Sequence, residues 1–378
     1  MLLDRLSARA LRERMTVLAR DLAMVRAGLA GRHPAPFRVT PGSATPAPSL
    51  TPRRTKVAAI ERLGPDAIAI RLRDPSGAPL RFRAGQFLTV VVPVAGETLR
   101  RAYSIASSPS DEDGVTIGVK RVPGGKVSGW LVDQLRVGDE LQVLGPSGEF
   151  GLRPADDAAA LVLVAGGSGI TPILALAHAA LEARSHHVTL VFANRTPGDE
   201  MFAATLEELA RAHGDRFVVR RLFGPLLDPT AFADALPSLE RSLVFLCGPA
   251  PMMELARQVL LERGLPRAAL REERFVAPRR TASATVEGGT LTVRARGRTH
   301  VVTVAPRETL LEAGLRAGAP MPFSCAMGGC GACKVRLVDG EVALDAPNCL
   351  GADEQAAGEV LTCVGRACGK DVVLEVEP

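Results

Sequence analysis

The sequence predicts a multidomain fold. An N-terminal amphipathic helix precedes an antiparallel β-barrel, an α/β unit on a parallel sheet, and a small α+β unit of β-grasp type. Three observations carry this prediction. Between Lys56 and Arg153, short alternating apolar runs are separated by turns, the pattern of an antiparallel barrel. From Ala158 to Phe275, apolar strands alternate with helical stretches, as a parallel sheet requires. Near the C-terminus, three cysteines crowd a glycine-rich loop and a fourth follows at a distance. The expected boundaries are 1–52 for the helix and linker, 53–153, 154–276, a linker at 277–283, and 284–378.

Length and composition agree with several cores. The chain has 378 residues, 47% of them hydrophobic but only 4% aromatic, so the cores must be aliphatic. The net charge of +5 is unevenly spread. Residues 1–56 hold 11 basic and 3 acidic groups, residues 57–280 hold 26 of each, and residues 281–378 hold 9 basic and 12 acidic groups. No broad basic face with interleaved aromatics appears, which argues against nucleic acid. Arg or Asp interrupts every apolar run at the N-terminus, so no secretory signal is expected there and the chain is expected in the cytoplasm.

The first 30 residues carry a helical stripe: Leu3, Leu6, Ala10, Leu11, Met15, Leu18, Leu22, Val25 and Leu29. Arg5, Arg9, Arg12, Arg14, Arg20 and Arg26 take the other faces. Such a helix suits an anionic membrane surface, a partner, or its own domain. Prolines 34, 36, 41, 46, 48 and 52 then make a linker.

In the barrel, Ala67–Leu72, Phe87–Val92 and Val115–Val119 are expected strands, with turns at Asp74–Gly77 and Asp111–Gly114. Arg101 and Tyr103 share one face of a strand end that continues into Ser104. There an aromatic ring can cover an isoalloxazine while a guanidinium grips phosphate. Gly124, Gly125 and Ser128 lead into a helix whose first N–H groups face an anion.

The charge-free run Ala158–Leu181 is long enough to span a membrane, but Gly166, Gly167, Gly169 and Pro172 break it. It reads as strand, phosphate loop and helix, with Thr171 in the loop and Pro172 at the helix start. After the strand Val188–Ala193 stands Arg195, where a carboxylate would select NAD. A guanidinium favours NADPH over NADH, and Arg220 and Arg221 are expected just after the strand Phe217–Val219. The strand Ser242–Leu246 delivers Cys247, Gly248 and Pro249 to the carboxyl edge of the sheet, where ligands bind.

In the last unit, Leu291–Arg294 and Thr299–Val304 suggest a hairpin and Thr309–Ala317 a helix stopped by Gly318. Cys325, Cys330 and Cys333 have four and then two residues between them, and Cys363 follows after 29 more. This is the plant-type spacing for thiolates on a [2Fe–2S] cluster. A disulfide, a zinc site or a thioredoxin-like pair is the competing account, but zinc sites favour two short pairs and cytosolic chains rarely keep disulfides.

These motifs identify a resemblance. Residues 53–275 resemble the ferredoxin–NADP reductase superfamily, and 284–378 resemble a plant-type ferredoxin fused behind it. The order is similar to the reductases of phenylacetyl-CoA epoxidase, ketosteroid 9α-hydroxylase and fatty-acid desaturases. The resemblance implies that Arg101 contacts the flavin diphosphate, Tyr103 covers the ring and Ser104 lies near N5. It places Gly124, Gly125 and Ser128 at the pyrophosphate, and Gly166, Gly167, Gly169, Thr171 and Pro172 at the nucleotide. Cys247, Gly248 and Pro249 fall beside the nicotinamide, and Glu273 and Phe275 near the other flavin face. The residues leave FAD and FMN both open; the resemblance implies FAD.

A nicotinamide gives two electrons as hydride, a [2Fe–2S] cluster takes one at a time, and a flavin mediates between them. The expected path is NAD(P)H to FAD to cluster to an oxygenase, hydroxylase or membrane desaturase. An electron-transfer subunit of a dehydrogenase and a redox-sensing nucleotide-binding module are the competing classes.

Overall fold

The computed structural model describes residues 52–94, 97–153, 156, 158–183, 187–275, 288–306, 308–345, 348–350, 352–368 and 371–376. The helix expected over residues 1–30, nearly all of the proline-rich stretch and the linker at 277–283 lie outside these residues. The described residues fall in two units. One is Leu152–Glu272. The other joins the residues up to Gly151 with those from Glu273 onward, so the first and last sheets of the chain share a unit.

In that shared unit, six strands form one antiparallel sheet: β1 (Arg53–Gly64), β2 (Ala67–Arg73), β3 (Phe87–Val94), β4 (Glu97–Ser104), β5 (Val115–Lys120) and β6 (Glu140–Ser147). Helix α1 (Lys126–Asp133) lies between β5 and β6 in sequence. The order β4-β3-β6-β1-β2-β5 leaves β4 and β5 at the edges, and a bridge between Ile105 and Ile117 draws these edges together. Alternation puts Ile68, Ile70, Leu72, Val90, Val92, Ile117 and Val119 inside, against Leu131 of α1. Each such side chain contributes about 1.5–3 kcal/mol on burial.

The Leu152–Glu272 unit is built on five strands, β7 (Ala160–Gly166), β8 (His187–Asn194), β9 (Phe217–Phe223), β10 (Ser242–Cys247) and β11 (Leu270–Glu273), the last residue of which already belongs to the other unit. Helices α2 (Ile170–Glu182), α3 (Ala203–His213), α4 (Pro229–Ala235) and α5 (Ala250–Glu262) connect them. The order is β11-β10-β7-β8-β9, with β7, β8, β9 and β10 pairing in parallel. The sheet grows one way from β7 to β9 and the other way through β10. Its switch point therefore lies between β7 and β10, and in such sheets ligands bind outside the carboxyl ends there. The charge-free run resolves into β7, a tight turn and the 13-residue α2. Among the described residues no helix is long and apolar enough to cross a membrane.

One sequence expectation needs correction. Arg220 and Arg221 do not follow a short strand at Phe217–Val219 but lie inside β9, opposite Val191 and Phe192 of β8. The strand extends through the two arginines because their flanking residues keep pairing with β8.

The C-terminal sheet contains β12 (Gly289–Ala295), β13 (Arg298–Val304), β14 (Lys334–Asp339), β16 (Glu359–Leu361) and β18 (Val372–Val376), in the order β13-β12-β18-β14-β16. β12 and β18 are parallel, and the other pairs antiparallel. β15 (Val342–Leu344) and β17 (Gly365–Ala367) form a small second sheet. Helix α6 (Leu310–Arg316) packs Leu310 and Leu311 on Leu291, Val293 and Leu374, while α7 (Ala352–Ala356) precedes β16. A capping box starts α6: Thr309 Oγ1 accepts from the Glu312 N–H, and the Glu312 carboxylate accepts from the Thr309 N–H. Gly318, at φ +71°, ends the turn after it.

Candidate functional site

Strand β4 carries the flavin-side candidates. Arg101 and Tyr103 lie on one face of it, with Tyr103 half-buried against the sheet core. Arg101 Nη1 donates to the Arg100 carbonyl at 2.7 Å. Burial raises the Tyr103 phenol, against the lowering pull of the Arg101 charge, so the hydroxyl keeps its proton. Ser104, on the opposite face and buried, donates to Glu273 Oε2 at 3.3 Å. Desolvation pushes the Glu273 carboxyl up to about 8, and the Ser104 hydrogen bond only partly offsets this. Two motifs 169 positions apart are thereby brought together. Phe275, two residues on, stands exposed.

The α1 start is a tight turn. Gly124 has φ +69° with open space where a Cβ would point, and a Cβ on Gly125 would come within 2.7 Å of Ser128 Oγ. Ser128 Oγ accepts from the Val122 N–H at 3.1 Å, so this hydroxyl holds the turn itself. The open side of Gly124 and the first N–H groups of α1 are what remain for an anion.

In the other unit, the glycine loop and the Cys-Gly-Pro segment meet at the switch point. A Cβ on Gly169 would strike the Cys247 carbonyl, one on Gly166 would strike Met252 and lie 2.8 Å from Pro249, and one on Gly248 would lie 3.1 Å from the Gly166 nitrogen. Glycine is required here because two backbones touch. Gly167, at φ +52°, faces open space instead. Thr171 Oγ1 donates to the Ser168 carbonyl at 3.0 Å, and the buried Pro172 lies in the first turn of α2. Cys247 is fully buried at the end of β10.

Arg195 lies just past β8, with a side chain 70% exposed and an ion pair to Asp199 at 3.3 Å. Arg221 is engaged elsewhere: its Nε donates to both Glu200 oxygens, at 2.9 and 3.0 Å. The motif reading passed over Asn194. Its side chain is buried, and neither amide atom has a hydrogen-bond partner. An unpaired amide at a carboxyl-edge strand end costs about 1–3 kcal/mol unless something fills its need. No sequence signal separates it from an ordinary strand-end asparagine.

The cysteine loop gathers the four candidate ligands. Cys333 Sγ and Cys363 Sγ are 3.1 Å apart, and the mutual contacts of the sulfurs lower the Cys325 thiol while raising those of Cys330 and Cys363, so that they titrate as one set. The backbone supplies further donors: Gly328 N–H to Cys363 Sγ at 3.1 Å, and Gly329 N–H to Cys325 Sγ at 3.4 Å. Donors aimed at sulfur suit thiolates, whose charge they stabilise. Gly328 (φ +76°), Gly331 (φ +74°) and Ala326 (φ +52°) bend the loop into this shape. Cys325, Cys333 and Cys363 are buried and Cys330 is exposed; none of the seven cysteines forms a disulfide. Among the described residues no group of three or more His, Cys, Asp or Glu is already arranged to hold a metal ion. A two-iron cluster instead spreads four thiolates over two metals.

Comparison with known proteins agrees. Residues 54–151 match the family described as oxidoreductase FAD-binding domain, 163–258 the oxidoreductase NAD-binding domain, and 293–368 the 2Fe-2S iron-sulfur cluster binding domain. The chain is 35% identical over 346 residues to a subunit of the 1,2-phenylacetyl-CoA epoxidase of Escherichia coli, covering 85% of this chain and 96% of that one. It is 36% identical over 308 residues to the ferredoxin reductase component of 3-ketosteroid-9-alpha-monooxygenase from Mycobacterium tuberculosis, covering 78% and 85%. Among solved structures, phthalate dioxygenase reductase aligns with a TM-score of 0.58 at 28% identity, over 86% of this chain and 98% of that one. An intact type IV self-sufficient cytochrome P450 monooxygenase aligns at 0.59 and 31% identity, over 86% of this chain but only 41% of that one. Three domain matches in this order, together with relatives matched over most of their length, place the chain in the family of ferredoxin-reductase-type, NAD(P)H-dependent oxidoreductases with FAD-binding, NAD-binding and 2Fe-2S domains.

Proposed function

We propose that this chain is the reductase component of an oxygenase, taking electrons from NADPH and passing them through FAD and a [2Fe–2S] cluster to that partner. One observation carries the reading most directly. The Arg101–Ser104 strand and the four-cysteine loop belong to the same structural unit, so a flavin-side site and a one-electron site are held together. The names of the relatives, a part of an epoxidase and the reductase components of monooxygenases, support an oxygenase as acceptor.

A bound flavin supplies the conversion between hydride and single electrons. The chain supplies position. Arg101 and the α1 amino end would hold the diphosphate, Tyr103, with a phenol that stays neutral, would stack on the flavin, and Ser104, paired with Glu273, would stand beside it. Glu273, protonated at neutral pH, keeps a proton within reach of Ser104 Oγ. Gly166, Gly167, Gly169 and Thr171 shape the nucleotide loop, and Cys247, Gly248 and Pro249 wall the nicotinamide side. Arg195, which pairs with Asp199, would take the 2′-phosphate. Cys325, Cys330, Cys333 and Cys363 hold the cluster. The basic sequence of residues 1–30 favours a second acceptor class, a membrane desaturase approached by peripheral contact.

Anaerobic titration with NADPH tests this. Flavin absorbance should bleach first and cluster absorbance second, and Cys363→Ser should abolish only the second. Bleaching that never reaches the cluster in the unaltered protein would show a nucleotide sensor instead.

A further inference from the structure

The face of β4 opposite Arg101 and Tyr103 is not free. β4 is an edge strand, and the cluster loop covers it. The Ala102 N–H donates to Met327 Sδ at 3.1 Å. Thr89 of β3, directly opposite Ala102, donates its hydroxyl to the Cys325 carbonyl at 3.1 Å. Phe87, Cys325 and Met327 pack together against Ala102. At the margin, Arg100 Nη1 pairs with Glu312 Oε1 at 3.1 Å, both side chains about one-third exposed. Glu312 is fixed for this, because its other oxygen accepts from the Thr309 N–H and hydroxyl at the start of α6.

We infer that Thr89, Arg100 and Ala102 form a built-in seat for the cluster loop, holding its Cys325 side against the strand that carries Tyr103 and Ser104. These are positioning residues. They fix the separation between the flavin-side strand and the nearest ligand, and the rate of single-electron transfer falls as that separation grows. The seat also assigns direction. Cys325 is buried against β4 and would mark the side on which the cluster receives electrons, while the exposed Cys330 would mark the side from which it delivers them. Delivery then needs no release of the loop from β4. Each contact has its own physical reason. The sulfur satisfies an edge-strand donor that would otherwise invite another strand, and the threonine hydroxyl pairs with a buried carbonyl. The charge pair adds orientation at the rim, where an exposed ion pair contributes little energy but fixes register.

The inference rests on flavin-to-cluster transfer within this chain, and the experiment separates the two. Arg100→Glu, Arg100→Lys and Thr89→Val are prepared as the full chain with flavin and cluster loaded. Flavin bleaching by NADPH and cluster reduction are followed by stopped-flow absorbance, and backbone deuterium uptake is measured across 98–104 and 325–329. Arg100→Glu should leave flavin bleaching unchanged, slow cluster reduction at least tenfold and raise deuterium uptake in both segments. Arg100→Lys should restore most of the rate, and Thr89→Val should shift both readouts in the same direction. If Arg100→Glu fails to retain flavin, Thr89→Val decides by the same two measurements. Cluster reduction at the unaltered rate in the variants, or slowed without added deuterium uptake, overturns the seat. Absence of cluster reduction in the unaltered protein overturns the transfer reading instead.

Discussion

Glu273 shows how one half-buried carboxyl carries a pH dependence. Its carboxyl rises from an ordinary 4.5 to about 8 because it is desolvated beside a single hydroxyl. The folded state therefore binds the proton more tightly than the unfolded chain. Its contribution to stability is full below 4.5, declines as pH rises, and is lost once pH passes about 8. The difference in thermal midpoint between the native protein and Glu273→Gln should fall across that window and level off above it. A flat difference from pH 4.5 to 8 would mean that the carboxyl is ionised throughout. Arg195 gives the second residue-scale expectation. A charge-assisted hydrogen bond to phosphate contributes about 1.5–3 kcal/mol, and about 1.4 kcal/mol is tenfold in affinity. Arg195→Ala should raise KM for NADPH about tenfold and leave KM for NADH nearly unchanged, while Asp199→Asn should lower KM for NADPH by freeing the guanidinium. Equal effects on both nucleotides would remove Arg195 from the phosphate. Asn194 is illegible in the sequence because an unpaired amide is a property of its surroundings, not of its neighbours along the chain.

At the scale of elements, the cysteine loop is the most legible part of the chain. Three of its four candidate ligands lie within nine positions, and glycines at 328 and 331 announce the backbone bends that thiolate ligation needs. The two glycines are not equivalent. A Cβ on Gly328 would lie 3.0 and 3.1 Å from the Val364 methyl groups, whereas one on Gly331 would meet only Cys349 Sγ at 3.7 Å. Either alanine variant carries the left-handed backbone cost of about 1–2 kcal/mol. Gly328→Ala adds a clash and moves the N–H that serves Cys363 Sγ. It should lose more iron and labile sulfide per chain than Gly331→Ala, with flavin content unchanged in both. Equal iron in the two variants would show that the Val364 contact relaxes freely. Strand ends are less legible: β9 runs on through Arg220 and Arg221, because pairing with β8 outweighs the low strand tendency of charge. The seat under the cluster loop is invisible in the sequence, since Thr89 and Cys325 are 236 positions apart and nothing local marks either as a partner.

At the scale of the whole molecule, charge and family match divide the chain at the same place. The basic excess is confined to residues 1–56, and the FAD-binding match begins at 54. The sequence before that point is rich in arginine and proline, a composition suited to a surface or a tether rather than to a core. Deleting residues 1–50 should therefore leave flavin and iron content unchanged, and NADPH-dependent reduction of an artificial acceptor should proceed at the full rate. The deletion should act only where a partner or a surface is present. Co-sedimentation with vesicles containing anionic lipid should fall, and the loss should be reproduced by changing Arg5, Arg9, Arg12 and Arg14 to glutamine in the full chain. Loss of flavin from the shortened protein would place the segment in the fold. Unchanged sedimentation would leave the arginines to a protein partner, because the charge that attracts an anionic bilayer would then be present without binding one.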